Sequence, residues 1–263
     1  MISPASSLRR RIDLLDTTER PRSDTRLGRF VSVLAYYTNT VMAEEIGERV
    51  TLDPAEADEL AGTCRLLAAV SRHDGQDLVT GPLHRDRQLW VANARHDGRS
   101  GPGRSRFSSP REASLGRPSP KPFGVGLYTA TAIRPWTSMW HLYLDPYYES
   151  EMYPLPWHTW RLAAAGDSSV REITSAREWT EFVAEYAMPG TDPLCPDWRR
   201  VAADVDGLHM TLRAVVATQG FQFPVKGGVT AAAYWDVEST LWLNWTFTSA
   251  VMTGVTPLPA SQP

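Results

Sequence analysis

Three separated stretches of the chain gather side chains that could do chemistry. In the first, Leu83-His84-Arg85, an imidazole and a guanidinium stand beside an apolar run over 88–92. A guanidinium fork suits phosphate or carboxylate oxygens, and an imidazole can donate or accept a hydrogen bond. The second stretch reads Lys121-Pro122-Phe123-Gly124-Val125-Gly126-Leu127-Tyr128-Thr129-Ala130-Thr131. Gly124 and Gly126 would let the backbone approach a ligand, Tyr128 offers a flat face with a polar tip, and Thr129 and Thr131 supply hydroxyls at alternating positions. It lacks the spacing of a Walker phosphate loop or a dinucleotide-binding fingerprint. The third, Tyr234-Trp235-Asp236-Val237-Glu238-Ser239-Thr240, carries two carboxylates two residues apart, which a strand would project from one face. Like charges so close in an aromatic setting raise at least one proton affinity, a tension found more often at sites than elsewhere. Each stretch also has a plain structural reading: a surface pair, a tight turn entering a strand, a solvated strand face.

These stretches need elements to position them. Residues 1–26 mix Ser, Arg, Asp, Thr and Pro without sustained periodicity, so a mobile leader is expected. The spacing of Val31, Leu34, Val41, Met42 and Ile46 predicts an amphipathic helix over 30–48. Asp53 before Pro54 has the form of an N-cap before N1, and Leu60, Cys64, Leu67 and Ala68 form the stripe of a second helix ending at His73-Asp74-Gly75. Past residue 75 the texture turns β-prone, with strands expected over 77–83, 88–92, 125–131, 140–144 and 157–163. Gly, Ser, Arg and Pro dominate 96–122, which reads as a long exposed loop, functional or merely inserted. Ser175 and Glu178 fit a capping box for a helix carrying Trp179, Phe182, Val183 and Tyr186, and a further helix is expected over 197–205. Periodicity leaves 208–216 open between strand and helix, and 234–247 reads as a half-buried strand with a bulge.

The division is therefore a leader over 1–26, a helical region over 27–75, an α+β domain over 76–250 and a loose tail over 251–263. Hydrophobic residues at 42% and charged residues at 22% are ordinary globular usage. A net charge of -3 excludes a global drive toward nucleic acid or an anionic membrane. Arg9-Arg10-Arg11 is followed by Ile12-Asp13-Leu14-Leu15-Asp16 rather than an apolar stretch, so no twin-arginine signal is read, and no apolar run is long enough to span a bilayer. Cys64 and Cys195 have neither metal-ligand spacing nor the density of a disulfide scaffold, and a reducing, cytoplasmic setting is expected. His141, His158 and His209 form no metal motif and read as satisfied core or rim histidines.

In this order the three stretches resemble the ADP-ribosyltransferase superfamily. The resemblance covers roughly 77–248 and rests on His84 or Arg85, on Gly124, Gly126, Tyr128, Thr129 and Thr131, and on Asp236 with Glu238. It lacks a Ser-Thr-Ser triplet, and it leaves the amino-terminal helical region unexplained. It implies a mixed, mostly antiparallel split β-sheet core of ADP-ribosyltransferase type, and an enzyme that cleaves NAD at the nicotinamide–ribose bond and transfers ADP-ribose to an unknown macromolecular or small-molecule acceptor. Glu238 would then stabilise the developing oxocarbenium charge and bind a ribose hydroxyl, with Asp236 steering the acceptor. Tyr128 would stack on nicotinamide, His84 or Arg85 would hold ribose or pyrophosphate, and Thr129 or Thr131 would fix orientation.

Two other classes fit the residues. Ten Trp and nine Tyr could stack on sugars, with Asp145, Glu149, Glu151, Asp236 and Glu238 as acids and bases of a carbohydrate-active or sugar-binding protein. Trp136, Trp140, Trp157 and Trp160 could instead form a core or the surface of a non-enzymatic interaction protein. Arg95, Arg99, Arg104, Arg106, Arg111 and Arg117 give the 95–117 loop a basic character that suits nucleic acid or another acidic acceptor.

Overall fold

The computed structural model describes residues 4–17, 27–28, 31, 51–93, 99–113, 115–145, 153–233 and 235–257. Its first half comprises α1 (Pro4–Thr17), α2 (Pro54–Gly62), α3 (Arg65–His73), α4 (Gln76–Thr80), β1 (Gln88–Ala92), β2 (Leu127–Arg134), β3 (Thr137–Ser138) and α5 (Met139–Leu144). There follow β4 (Trp157–Ala164), β5 (Val170–Ile173), α6 (Ala176–Tyr186), α7 (Trp198–Asp204), β6 (Gly207–Met210) and α8 (Leu212–Thr218). The chain then forms β7 (Phe223–Val225), β8 (Gly228–Thr230), β9 (Ser239–Trp242) and β10 (Phe247–Thr256). The fold is mixed α+β with a mostly antiparallel sheet, ordered β10-β4-β1-β2-β9-β6-β5 with β3 paired to β2. Among its described strands only β5 and β6 run parallel.

Cross-strand partners share a face of the sheet. One face carries Leu208, Met210, Ile173, Leu241 and Tyr128 and joins the main core with the helices. The other carries Thr129, Thr131, Thr240, His209, Glu172, Gln88 and Trp242. A second, aromatic-rich cluster covers that face, built on Leu83, Leu162, Trp242 and Phe247 with Trp90, Trp160 and Trp245 against it. The sheet is thus buried on both sides around its centre, and polar side chains at that centre must find partners inside the protein.

The amino-terminal helices belong to the same core. Leu8, Ile12 and Leu15 of α1 are buried, and Asp16 accepts from the backbone N–H groups of Arg65 at 3.1 Å and Leu66 at 2.8 Å, capping α3 from another element. Asp58 of α2 likewise accepts from Ala176 at 2.6 Å and Arg177 at 3.1 Å at the start of α6. The leader expected over 1–26 is therefore corrected for Pro4–Thr17: the apolar 8, 12, 15 spacing buries one face, and Asp16 ties its end. The helix expected over 30–48 lies outside the described residues apart from Val31.

Several boundaries follow the sequence closely. The caps at Asp53, Ser175 and Asp197 form as read: Ser175 Oγ accepts from the Glu178 N–H at 3.1 Å, and Asp53 and Asp197 accept from N–H groups of their own first turns. Residues 208–216 contain both alternatives, since β6 hands over to α8 at Thr211, whose Oγ1 accepts from the Ala214 N–H at 3.4 Å. The single helix expected after Asp53 is broken at Thr63 and Cys64 into α2 and α3. Residues 77–83 hold the short helix α4 rather than a strand. Residues 140–144, also expected as a strand, lie in α5, where the Ser138 N–H donates to His141 Nδ1 at 3.1 Å and closes the first turn. The late strand is interrupted: residues 235–238 are irregular, β9 is short, and β10 extends to Thr256 along β4, so the tail expected from 251 is strand for its first six residues.

Candidate functional site

Two buried charged centres emerge, and most of the expected site residues, though not His84 and Arg85, fall at one or the other. The first occupies the middle of the aromatic-covered face. Glu238 is 0% exposed. Its carboxylate accepts from the Thr131 N–H at 3.0 Å, from Thr131 Oγ1 at 2.8 Å and from His209 Nε2 at 3.0 Å. His209 Nδ1 donates in turn to Glu172 at 3.3 Å, and Glu172 accepts from the Leu83 N–H at 3.1 Å. Gln88 extends the chain: it donates to Thr131 Oγ1 at 3.4 Å and accepts from Thr129 Oγ1 at 2.6 Å, while Trp242 Nε1 donates to Thr129 Oγ1 at 2.8 Å. Burial pulls the His209 pKa down, but its hydrogen bonds and charge interactions with Glu172 and Glu238 outweigh that and push it up to about 9. The imidazole is therefore a cation between two carboxylates, and Glu172 is held below its ordinary value because the His209 and Leu83 hydrogen bonds outweigh burial. With one imidazolium between two carboxylates, and the charge of Arg85 also acting on Glu172, this network joins β2, β5, β6 and the segment before β1.

The second centre is Lys121, 4% exposed. Its Nζ lies 4.7 Å from the Tyr128 ring centroid, 5.0 Å from that of Trp235 and 5.2 Å from that of Trp140. Three aromatic donors pin the backbone around it: Trp198 Nε1 to the Ser119 carbonyl at 2.8 Å, Trp235 Nε1 to that of Pro120 at 3.4 Å, and the Tyr128 hydroxyl to that of Pro122. Burial pulls the Lys121 pKa down and the Asp236 charge partly restores it, leaving it at about 8. Tyr128, raised by burial, stays a phenol.

Lys121 lines a cavity of about 500 Å³, within the range of small-molecule sites. Trp90, Tyr128, Trp140, Tyr153 and Trp245 supply its aromatic walls, and Asn93 and Arg106 add polar groups. Trp140 also carries a buried indole N–H with no hydrogen-bond partner among the described residues. The loop read as exposed forms part of this wall. Its arginines at 99, 104, 106, 111 and 117 are exposed, yet the loop is anchored by the Gly126 N–H to the Ser108 carbonyl at 2.7 Å and by Phe107 against Trp245 at 5.8 Å.

Of the expected site residues, Gly124, Gly126 and Tyr128 line the cavity. Gly126 is needed for another reason than ligand approach: its φ is +70°, and a Cβ there would stand 2.5 Å from the Trp242 carbonyl oxygen. Thr129, Thr131 and Glu238 belong to the buried network on the opposite face from Tyr128. Asp236 and Glu238 do not share a strand face: Asp236 accepts from Gln219 Nε2 at 2.6 Å, while Glu238 turns to Thr131 and His209. His84 stands 3.5 Å from Asp77, and Arg85 donates to the Ser168 carbonyl at 3.0 Å, so both are engaged away from the cavity.

Lys121 stands in the second of the three stretches, where residue spacing alone gives it no role. Its signal was available: the chain has two lysines, Lys121 and Lys226, among 27 basic residues, and Lys121 stands between two prolines before a Gly-X-Gly run. Among the described residues no group of three or more His, Cys, Asp and Glu is placed to hold a metal ion, and no helix is long and apolar enough to cross a membrane. Comparison with family models, with curated proteins and with solved structures finds no match for this chain.

Proposed function

We propose that this chain binds a small ring-bearing organic molecule with an acid or carbonyl group, held in the cavity at Lys121. The observation that carries this reading is one buried cation, rigidly presented by three aromatic hydrogen bonds, at the wall of an aromatic cavity. The rings offer apolar faces to the ligand's ring, while Lys121, Arg106 and the Trp140 indole N–H offer donors for its oxygens. A thermal-shift panel of aromatic 2-oxo acids, aromatic carboxylates, NAD and oligosaccharides tests it, because selective binding raises apparent stability. Stabilisation by ring-bearing acids or carbonyl compounds and not by oligosaccharides is expected. A panel in which only oligosaccharides stabilise, or nothing does, rejects the reading.

A second reading keeps NAD as the ligand of an ADP-ribosyltransferase-like enzyme, and one observation favours it: Gly126, Tyr128 and Arg106 share the cavity wall. Tyr128 would face nicotinamide and Arg106 the pyrophosphate, while the exposed arginines of the same loop would meet an acidic acceptor such as nucleic acid. The carboxylate for this chemistry would be Asp236, whose charge acts on the cavity residues Lys121 and Tyr153, rather than the enclosed Glu238. NAD turnover with mass analysis of the products is the test. Consumption lost in Asp236→Asn and kept by folded Glu238→Gln supports it, and no consumption by the wild type removes it.

A further inference from the structure

We propose that Lys121 is an imine-forming residue, and that the cavity's ligand carries an aldehyde or 2-oxo group whose carbonyl carbon the Lys121 Nζ attacks. The inference rests on the ligand-binding reading above and assigns its chemistry. An amine nucleophile must be held in place, partly uncharged, and open to a site that excludes bulk water. Lys121 meets the first requirement through the pinned carbonyls of Ser119, Pro120 and Pro122, and the third through its place on the cavity wall at 4% exposure. The three ring faces favour the ammonium, burial favours the amine, and a pKa of about 8 leaves both forms populated near neutrality.

The step balances without a co-reactant. The Nζ lone pair adds to the carbonyl carbon and the carbonyl π electrons move to oxygen, which takes a proton to give the carbinolamine. Loss of water then forms the C=N bond, the two amine hydrogens leaving in that water. The other groups around Lys121 are set for this. Tyr128 and Tyr153, both on the cavity wall, are kept in phenol form by burial, Tyr153 also by the Asp236 charge. The charge of Asp236 acts on Lys121, and Arg106 lines the cavity.

Lys226 is exposed and serves as the internal control. The folded protein is incubated with phenylpyruvate or 4-carboxybenzaldehyde and cyanoborohydride at pH 7.5, and the adduct is mapped by peptide mass analysis. Binding of the same probe without reductant is measured by calorimetry. Reduction is expected at Lys121 at least ~10-fold faster than at Lys226, with the preference lost in urea and the rate rising from pH 6.5 to 8.5 as the amine loses its proton. Equal or greater labelling of Lys226 overturns the proposal. Probe binding without a Lys121 adduct overturns the imine and leaves the binding reading standing, whereas absence of binding removes both.

Discussion

The network at His209 and the cage at Lys121 both bury a basic group, and they resolve the cost in opposite ways. At His209 two carboxylates supply hydrogen bonds that overcome desolvation, so the proton is held more tightly than in the unfolded chain. At Lys121, with ring faces around it, desolvation outweighs the charge of Asp236. His209 and Glu238 are fully buried within their network, whereas Lys121 sits on a cavity wall. Burial of charge therefore does not by itself mark a site; a buried amine on a cavity wall makes only a candidate.

Breaking the network is expected to have the largest effect. Glu238→Gln removes one carboxylate from a fully buried His209 cation and costs about 3–5 kcal/mol in urea unfolding, the usual loss when one partner of a buried pair is removed. A loss under ~1 kcal/mol would mean that the pairing is not structural. The next effect is on the pH profile. Folded His209 titrates at about 9 against 6.5, so its contribution is full below pH 6.5 and is lost as pH rises through 9, on the order of 3 kcal/mol. Lys121 has the opposite sign: at about 8 against 10.5, its protonation penalty is relieved between those values. Neutral His141, at about 4 against 6.5, adds a rise on the acid side. Stability should thus peak near pH 6.5 and fall toward 8. The Lys121 contribution is read as the stability difference between wild type and Lys121→Met, which should shrink as the pH rises from 8 to 10.5, because Cys64, pushed up to about 12 by burial, titrates in the same alkaline range. A stability that climbs steadily from pH 6.5 to 8 contradicts the His209 assignment.

Local signals carried much of the fold. Asp53-Pro54, Ser175 with Glu178, and Asp197 mark helix starts because a cap is decided within a few residues. β1 lies where its β-branched and aromatic run placed it. Tertiary context overrode propensity elsewhere. The aromatic residues of α5 read as strand, yet they lie in a capped helical turn whose Trp140 packs on Tyr143 and against Lys121. α1 read as a leader because its few apolar residues look insufficient until Asp16 is seen capping α3, a contact 49 residues distant. For the site, Tyr128 was legible from its Gly-flanked strand. The separation of Asp236 from Glu238 was not, since it depends on irregular backbone where alternation suggested strand. The role of Glu238 also depended on His209 and Gln88, which join it only through the register of β1, β2, β6 and β9.

The most direct measurement is the affinity of folded Lys121→Met and folded Glu238→Gln, each by calorimetry, for a ring-bearing acid that stabilises the wild type. With the site at Lys121, the first variant should lose at least ~10-fold in affinity, the scale of one charge-assisted hydrogen bond, and the second should match the wild type. Unchanged affinity in Lys121→Met together with a loss in Glu238→Gln would put the site at the buried network instead.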